Sequence, residues 1–460
     1  MTEVDLRMPL PSPSYLTESS VTKVERKACG ARDNGQRPRV LVLADVCNPD
    51  WPSLPVVGYN YAKALSEVAD VTVATQVRNR PNIERDGLGR AQVVYLDTEW
   101  IAAPIHRLGT LIRRGGATGW TTQIAMEYPS YLAFEWAAWR HFRGRLRKGE
   151  FDVIHRITPM SPTLPSLMAS LSTVPFVLGP LNGGLPWPSA FQAELKRERE
   201  WLSWVRDAYK LLPFRSATLN KAAAILAAFD HTIADLPARL SGKIVDFPEV
   251  GVDPARFSAE RPPKRERKTI LFAGRLVPYK LPEVIVGAFA RSDILRRHRL
   301  VVVGDGPERS RLEQMIAEHR LQDCVELLGQ RTQREVGAIM RDAEIFAFPS
   351  IRELGAGVVV EAMACGMACV VVDYGAPGAL IGPDRGVKVA LGDHQSLIAG
   401  YCRELESLVL SPERITMLGA AASQHARAHY DWDSKAGKTL EVYHWARNPS
   451  GPKPDFWAQT

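Results

Sequence analysis

The segment EIFAFPSIRELGAGVVVEAMACGMACVVVD, residues 344–373, has the pattern of a strand, a glycine-rich loop, a helix and a second strand. Its two apolar runs, EIFAFPS and ACVVVD, are continuous rather than alternating, which is typical of strands buried on both faces of a parallel sheet. Strands joined through a helix pair in parallel. Because open parallel sheets bind ligands beyond the carboxyl ends of their strands, the loop IRELGAG is expected to lie in a binding crevice.

Two series of such runs indicate two α/β domains in tandem. The first domain is predicted at 38–245 and contains RVLVLADV, DVTVATQV, AQVVYLD, FDVIHRI, VPFVLGP and HTIA. The second is predicted at 269–430 and contains TILFAGRL, LVVVGDG, VELLG, EIFAFPS and ACVVVD. Since 460 residues exceed the usual size of one core, we expect two parallel-sheet domains that face each other across a cleft.

The other segments are assigned from their composition and spacing. Residues 1–37 mix proline, serine and charged residues without periodicity, so a disordered N-terminal extension is expected. Residues 246–268 are rich in proline and charge and are expected to form a linker. The segment 431–460 opens with DWDSKAGKTLEVYHWAR, whose helical spacing of large side chains predicts a helix packed back on the body of the protein.

Composition restricts the class of protein and its partners. Hydrophobic residues make up 45% of the chain and charged residues 24%, as in globular proteins with a large core. The net charge of +7 favours acidic partners such as phosphate-bearing substrates or anionic lipid head groups, and nothing supports a nucleic-acid partner. The six cysteines form no CxxC pair, which argues against a zinc site or a disulfide framework and predicts a cytoplasmic protein.

Contact with a membrane surface is an open alternative. No apolar run reaches the ~18 residues that span a bilayer. The segment ELKREREWLSWVRDAYKLLPFR, residues 194–215, nevertheless combines a basic run with an apolar helical face. Such a helix either packs against the first domain or lies at the inner face of an anionic membrane. The apolar face consists of Trp201, Trp204, Val205, Ala208 and Leu212.

Two cations follow the first strand of the second domain, in FAGRLVPYKLPE, residues 272–283. Arg275 and Lys280 precede a helix that Pro282 is expected to open. Two fixed cations beside a loop provide the charge and the hydrogen-bond donors that a diphosphate requires. The alternative is that both side chains face solvent or pair with nearby acids.

The opening segment adds a second anion site and two carboxylates. At the start of its helix the backbone amides of Ala356, Gly357 and Val358 are unpaired and favour an anion. Glu353 is expected at the mouth of the cleft, and Glu361 about one turn into the helix. An unpaired buried carboxylate is costly, so Glu361 needs a partner, such as the vicinal diol of a ribose. The alternative is a capping carboxylate together with a buried Glu–Arg pair.

These residues resemble a known family, the retaining glycosyltransferases of family 4, which have the GT-B fold of two Rossmann-like parallel-sheet domains. The family's E-x7-E followed by AMA-x-G is matched by Glu353, Glu361 and EAMACG. Further matches occur in the same order: GVD with a later phenylalanine (Gly251 to Phe257), GRL with a lysine five residues after its arginine, GDGP, LLGQ, FPS and YDWDSKAGKTLEVY. Together they cover almost the whole chain from residue 39.

The resemblance implies a nucleotide-diphospho-sugar as co-substrate, with no cofactor and no metal. Arg275 and Lys280 would bind the diphosphate, and Glu361 would bind the ribose hydroxyls. The implied catalytic residues are Glu353, Arg275, Lys280 and His155. The implied donor-binding residues are Gly274, Arg275, Lys280, Gln330, Arg331, Glu353, Gly355, Ala356, Gly357, Val358 and Glu361, with the backbone around Gln330 and Arg331 beside the base.

Some positions depart from the family pattern. The usual Phe-Gly after the first glutamate is replaced by Gly355-Ala356, and a histidine often found two places after His155 is replaced by Ile157. His155 is therefore either a catalytic residue or a structural residue at the end of a strand. On the acceptor side, Gly58 stands where the family has paired glycines, and GPLNGG offers Asn182 and Gly183 or forms a plain turn.

The function predicted from these features is transfer of a sugar, with retention of configuration, to a glycan or lipid-linked acceptor. A role in the synthesis of a cell-surface polysaccharide or a glycolipid is expected. The alternative is a non-catalytic partner protein that binds a nucleotide-sugar without turnover. A dinucleotide-dependent oxidoreductase fits the parallel strands less well, because no GxGxxG follows the first strand.

Overall fold

A computed structural model describes residues 37–105, 120–197, 212–259 and 265–457, with side chains outside 120–127. Apart from residue 37, the predicted N-terminal extension lies outside this part of the chain. The same holds for Trp201, Trp204, Val205 and Ala208 of the predicted amphipathic helix. Those two predictions therefore stay predictions. Within the described residues, every helix is either too short or too polar to cross a bilayer.

The first domain contains a seven-stranded sheet with the order β3-β2-β1-β4-β5-β6-β7, in which every strand pair is parallel. Its apolar strands are covered on both faces, as parallel sheets require. The order reverses between β1 and β4, which creates a crevice at the carboxyl ends of these strands. The strands are β1 (Arg39–Ala44), β2 (Asp70–Gln76), β3 (Gln92–Leu96), β4 (Val153–Thr158), β5 (Phe176–Leu181), β6 (Ala222–Ala227) and β7 (Ile244–Asp246).

The second domain contains a six-stranded sheet with the order β10-β9-β8-β11-β12-β13, again with parallel pairs throughout. Its order reverses between β8 and β11, so a second crevice lies at the end of β11, in the loop that opened the sequence analysis. Two parallel-sheet domains were expected, and this expectation is confirmed. The strands are β8 (Thr269–Ala273), β9 (Arg299–Val303), β10 (Val325–Gly329), β11 (Ile345–Phe348), β12 (Ala368–Val372) and β13 (Gly386–Val389).

Helices connect successive strands and cover the sheets. In the first domain they span Leu54–Val68, Arg80–Asp86, Trp120–Arg147, Leu167–Leu171, Gln192–Arg197, Arg215–Lys221 and Asp230–Ile233. In the second domain they span Pro282–Arg291, Arg309–Glu318, Gln333–Arg341, Gly357–Ala364, Gly375–Leu380, His394–Val409 and Pro412–Tyr430. The helix predicted to open at Pro282 and the helix predicted within VVVEAMAC are thereby confirmed. A last helix spans Trp432–Arg447.

Two local predictions were wrong. HTIA was predicted as a strand, but it starts within the short helix Asp230–Ile233, and the strand is the preceding run Ala222–Ala227, AAAILA. Alanine has a low strand propensity, and burial between neighbouring strands decides the conformation of this run. The segment CNPDWPSLPVVGYN, residues 47–60, was expected to be a loop, but the first helix already begins at Leu54 within it. A proline in the first turn of this helix is compatible with it, since no amide hydrogen bond is lost there.

The last helix returns to the first domain. Its residues Trp432, Ala436, Val442 and Tyr443 belong to the core cluster that covers one face of the first sheet. The predicted packing of this segment on the body of the protein is therefore what the structure has. The chain consequently crosses between the domains twice, once after β7 and once after Tyr430.

The two crossings are bonded to each other. The amide of Val252 donates to the carbonyl of Tyr430 at 2.8 Å, and Val252 pairs with Asp431 in an isolated parallel bridge. The buried ammonium of Lys435 donates to the carbonyl of Pro248. It lies 4.3 Å from the ring centroid of Phe247, a distance typical of a cation–π contact. The connection between the domains is thus a bonded pair of chain segments.

The last helix is held to β4 by a buried histidine. His155 is fully buried, and burial lowers its pKa to about 4, so its ring is neutral. The carbonyl of Gly179, 2.7 Å from Nε2, can only accept, so Nε2 carries the proton. Nδ1 therefore accepts from the hydroxyl of Tyr443 at 2.7 Å.

We expect Tyr443→Phe to lower the free energy of unfolding by about 1–3 kcal/mol, because it leaves Nδ1 of His155 buried without a donor. Urea denaturation of the full chain measures this change. Tyr128→Phe is the matched control, because the buried hydroxyl of Tyr128 has no hydrogen-bond partner within the described residues. An equal loss of stability in both variants would contradict the role given to the Tyr443 hydroxyl.

Candidate functional site

The predicted donor loops meet at the carboxyl edge of the second sheet. The loops after β8 and β9 touch, and glycine makes this possible, since a Cβ on Gly304 would lie 1.9 Å from the carbonyl oxygen of Gly274. Gly304 has φ +134°, a value that other residues rarely adopt. Gln330 and Arg331 follow β10 at the same edge and are exposed. The loop after β11 adds Glu353, so one edge carries all of these predicted residues.

Lys280 and Glu353 form an ion pair at this edge. The Nζ atom of Lys280 lies 2.6 Å from Oε1 of Glu353, and the side chains are only 10% and 16% exposed. Ser350 also donates to Oε1 at 3.1 Å, and Nζ lies 4.8 Å from the ring centroid of Phe348. The alternative that Lys280 pairs with a nearby acid therefore holds. An ammonium has three N–H donors, so the pair leaves Lys280 with donors for an anion.

Arg275 is exposed at the same loop. Its Nη2 donates to the hydroxyl of Tyr279 at 2.8 Å, and Tyr279 directly precedes Lys280 in the chain. Within the described part of the chain, no carboxylate forms an ion pair with Arg275. Arg275 therefore carries a positive charge that an anionic ligand can approach without displacing an internal counterion.

The helix Gly357–Ala364 begins shortly after Glu353, at the same sheet edge. Ala356 precedes it in the left-handed conformation, with φ +52° and ψ +48°, and no side chain caps the first turn. Gly357 and Val358 are half-buried. The amides at this end and the helix dipole favour an anion.

Glu361 lies in this helix and is partly buried. Burial raises its pKa to about 8, and the charge of Arg256 opposes this shift only in part. Arg256 itself pairs with Asp253 at 3.2 Å. Among the described residues neither a hydrogen bond nor an ion pair reaches the Glu361 carboxylate, so the alternative of a buried Glu–Arg pair is not realised there. The carboxylate of Glu361 retains its capacity to accept hydrogen bonds.

The residues predicted in the first domain do not all join the site. Both ring nitrogens of His155 are bonded inside the protein, which favours its structural alternative. Gly58 lies within the helix Leu54–Val68, and a Cβ there would lie 2.7 Å from the carbonyl oxygen of Val46. Its close packing against the loop after β1 explains the glycine. Asn182 and Gly183 follow β5 and do lie at the carboxyl edge of the first sheet.

Sequence reasoning missed Glu249. This residue is 3% exposed, and its Oε1 accepts from Nδ2 of Asn182 at 3.2 Å. A Cβ on Gly355 would lie 1.7 Å from the same oxygen, while Oε2 has no partner within the described residues. Burial raises the pKa of Glu249 to about 7, and the charge of Lys435 opposes the shift. The sequence signal for this contact was Gly355, which has no side chain at a position where the family that the sequence resembles usually has phenylalanine.

Two hydrogen bonds hold the domains together beside the site. The hydroxyl of Tyr374 donates to the carbonyl of Pro186 at 2.8 Å, and Nη1 of Arg352 donates to the carbonyl of Leu185 at 3.2 Å. Leu185 and Pro186 follow β5, whereas Arg352 and Tyr374 follow β11 and β12. The carboxyl edges of the two sheets therefore face each other.

Comparisons with known proteins identify a family and relatives that match part of this chain. Residues 255–422 match the model of the family described as glycosyl transferases group 1. The chain is 31% identical over 303 residues to a Salinispora tropica protein named D-inositol 3-phosphate glycosyltransferase, covering 56% of this chain and 62% of that protein. A Streptomyces bingchenggensis protein of the same name is 33% identical over 190 residues, covering 38% and 39%. The chain thus spans roughly half the length of these relatives.

A solved structure extends the likeness to both domains. The crystal structure of Anabaena HepE in complex with UDP and glucose matches 89% of this chain and 100% of that chain, with a TM-score of 0.57 and 16% identity. At this identity the likeness concerns the fold. The expected GT-B fold is confirmed.

We expect Gly355→Ala to lower the free energy of unfolding by about 1–3 kcal/mol, because the added methyl group would overlap the Glu249 carboxylate. Urea denaturation of Gly355→Ala in the wild-type and in the Glu249→Ala backgrounds measures the coupling. In the Glu249→Ala background the loss should be smaller by at least about 0.5 kcal/mol, and the residual loss reflects Cγ1 of Val250, which lies 3.0 Å from the added methyl group. Equal losses in both backgrounds would contradict the contact.

Ala356→Gly is expected to have the opposite effect. Glycine removes the strain of a left-handed alanine, about 1–2 kcal/mol, and this gain is partly offset by the larger entropy of the unfolded chain. The variant should therefore be as stable as the wild type or more stable by up to about 1 kcal/mol in the same urea measurement. A loss of stability would show that the side chain of Ala356 contributes more than its backbone strain costs.

Proposed function

Because residues 255–422 belong to the glycosyl transferases group 1 family, we propose that this chain is a retaining, metal-independent glycosyltransferase. It transfers a sugar from a nucleotide-diphospho-sugar to a glycan or lipid-linked acceptor. The observation that carries the proposal is the grouping of Arg275, Lys280 and an uncapped helix end at one sheet edge. The carboxylate of Glu361 lies in the same helix and has no partner among the described residues.

In the proposed mechanism, positive charge is placed where the leaving group develops negative charge. Arg275 and Lys280 bind the diphosphate, and Glu361 accepts hydrogen bonds from the ribose hydroxyls. The amides near Gly357 lie with Glu353 at the sugar. Gly274, Gln330 and Arg331 border the nucleotide. One preorganised hydrogen-bond donor at such a leaving group typically lowers the activation free energy by about 3 kcal/mol.

The ion pair of Lys280 and Glu353 contacts both parts of the nucleotide-sugar, the diphosphate and the sugar. Lys280 shares its N–H groups between Glu353 and the diphosphate, while Glu353 accepts from hydroxyls of the sugar. The bond from the anomeric carbon to the phosphate oxygen breaks, and the bond to the acceptor oxygen forms on the same face. Because attack and departure share one face, the configuration is retained. The acceptor proton passes to the departing diphosphate, whose charge Arg275 and Lys280 stabilise in place of a metal ion.

UDP-glucose is the first donor to test, since the Anabaena structure contains UDP and glucose. The net charge of +7 supports contact with anionic lipid head groups at the inner face of a membrane, as a lipid-linked acceptor would require. A role in polysaccharide or glycolipid synthesis belongs to the same proposal.

The test is nucleotide release by the full chain from a panel of nucleotide-sugars. We expect Arg275→Ala to lower kcat about 100-fold through loss of charge stabilisation at the leaving group. Arg297→Ala, an exposed arginine just before β9 at the opposite edge of the sheet, is the control and should leave kcat unchanged. Saturable binding of a donor without nucleotide release would instead support the non-catalytic alternative.

Glu361 gives a pH-dependent prediction. The ionised carboxylate accepts from a diol more strongly than the neutral carboxyl group, one of whose oxygens carries a proton. With a pKa of about 8 for Glu361, donor binding therefore releases a proton at lower pH. The affinity for UDP-glucose should therefore rise with pH, by up to about tenfold per unit, and level off above 8. Calorimetric titrations from pH 6 to 9 measure this slope, because the diphosphate of UDP-glucose has no titration in this range.

Glu361→Gln should bind UDP-glucose more weakly and lose the rise of affinity with pH that Glu361 causes. An identical slope in the wild type and this variant would assign the titration to another group. Glu249, with a pKa of about 7, is the first such group to examine.

A further inference from the structure

A segment of the first domain docks on the second domain beside the proposed donor site. Residues Ser189–Arg197 belong to the connection between β5 and β6 and end in the short helix Gln192–Arg197. Phe191 is fully buried, and it belongs to the core cluster of the second domain. The helix lies beside the turn Pro278–Lys280, which carries one of the two cations proposed to bind the diphosphate. We call Ser189–Arg197 the bridging segment.

An ion pair joins the bridging segment to the loop after β9. Arg197 donates to Oε1 of Glu308, and the side chain of Glu308 is only 4% exposed. Nη1 of Arg311 lies 3.4 Å from Oε2 of Glu308 and 3.2 Å from Oε1 of Glu283. A buried carboxylate needs such partners, because an unpaired buried charge is costly. The first domain therefore supplies one of the two guanidinium groups that hold Glu308.

The bridging segment makes two further contacts with His394, at the start of a helix of the second domain. The ring centroid of Phe191 lies 5.2 Å from that of His394, and Oε1 of Glu194 lies 3.7 Å from its Nε2. The same Nε2 lies 3.1 Å from Oε1 of Glu283, and the hydrogen bond with this carboxylate raises the pKa of His394. Apolar and charged contacts together fix the position of the segment on the second domain.

Glu308 is bonded in turn to the loop that carries Arg275. The amide of Glu308 donates to the carbonyl of Leu276 at 3.0 Å, and the amide of Leu276 donates to the carbonyl of Asp305 at 2.9 Å. The residue directly after Arg275 is thus bonded twice to the loop after β9. Removing Arg197 leaves the buried Glu308 carboxylate with less compensating charge and favours its displacement towards solvent. Through Leu276, that displacement moves the backbone of Arg275.

We infer that Arg197 of the first domain is a positioning residue for Arg275. Its charge holds Glu308, and Glu308 holds the backbone that presents the Arg275 guanidinium to the leaving diphosphate. The inference rests on the proposed glycosyl transfer, in which Arg275 stabilises the leaving group. It adds that a residue of the first domain sets the position of this cation of the second domain.

The kinetic experiment asks whether Arg197 acts through Arg275, with the donor of the panel that the wild type turns over. Arg197→Met should lower kcat about tenfold and change KM less than about threefold, because the interaction that is lost acts at the leaving group. In the Arg275→Ala background the same substitution should change kcat less than about twofold, since the group that it positions is already missing. An equal loss of kcat in both backgrounds, or no loss in the wild-type background, would overturn the inference.

Two further variants separate positioning from a general loss of stability. Arg197→Lys keeps the charge and should retain kcat within about threefold of the wild type, because an ammonium can replace a single N–H contact. Arg145→Met removes another ion pair, in which Arg145 lies 2.7 Å from Glu150 and is 36% exposed, close to the 39% of Arg197. Arg145 precedes β4 at the amino ends of the strands, so kcat should not change. A kcat loss in Arg145→Met as large as in Arg197→Met would overturn the positioning role.

Hydrogen exchange on the full chain without a ligand tests the positioning apart from catalysis. The amides of Leu276 and Glu308 are both hydrogen-bonded between the two loops. Arg197→Met should raise the exchange rates of the peptides that contain them about tenfold, whereas Arg145→Met should leave these rates unchanged. Unchanged rates in Arg197→Met would overturn the inference.

The outcomes separate the two proposals. If a donor is turned over and Arg197→Met equals the wild type in kcat and in exchange, only the positioning role fails. If exchange rises in Arg197→Met but the wild type turns over no donor of the panel, the transferase proposal fails, and Arg197 still positions the loop of Arg275.

Discussion

Parallel pairing of the strands is the constraint on which the rest of this structure depends. Parallel strands need a crossover connection between them, so helices cover the faces of each sheet. The carboxyl ends of all strands therefore lie at the same edge of the sheet. In both domains the strand order reverses beside the first strand, and the crevices at β1/β4 and β8/β11 follow from it. The chemically distinctive residues therefore come from segments far apart in sequence but gather at one edge.

The charged groups at that edge of the second sheet are of two kinds: some are neutralised by an ion pair within the protein, and others are not. Lys280 and Glu353 neutralise each other, which fixes both side chains, while Arg275 and the start of the helix Gly357–Ala364 retain positive potential. Glu361 and Glu249 are carboxylates whose pKa values are raised by burial. Raised carboxyl pKa values beside a crevice are more typical of functional sites than of surfaces that only maintain the fold.

Much of the fold could be predicted from the sequence, because the apolar runs of buried strands are continuous and are separated by helical patterns. The strand Ala222–Ala227 was not predicted, because its residues are small or aliphatic and only Ile225 is β-branched, so the segment has a low intrinsic strand propensity. The site was predicted less completely. The pair of Lys280 and Glu353 joins residues 73 positions apart, and the contact of Glu249 with Gly355 requires knowing how the linker crosses the loop. Both follow from tertiary structure, which local patterns do not contain.

The bonded pair of segments between the domains has a consequence for how they can move. A single flexible connection would allow the domains to rotate in many directions. Here two adjacent connections are joined by hydrogen bonds between Val252 and Tyr430 and between Pro248 and Lys435, so they favour rotation of the domains about one axis. Motion that widens or narrows the crevice around this axis keeps those bonds, and twisting or sliding would break them. One severed connection would still leave the two lobes attached through the other.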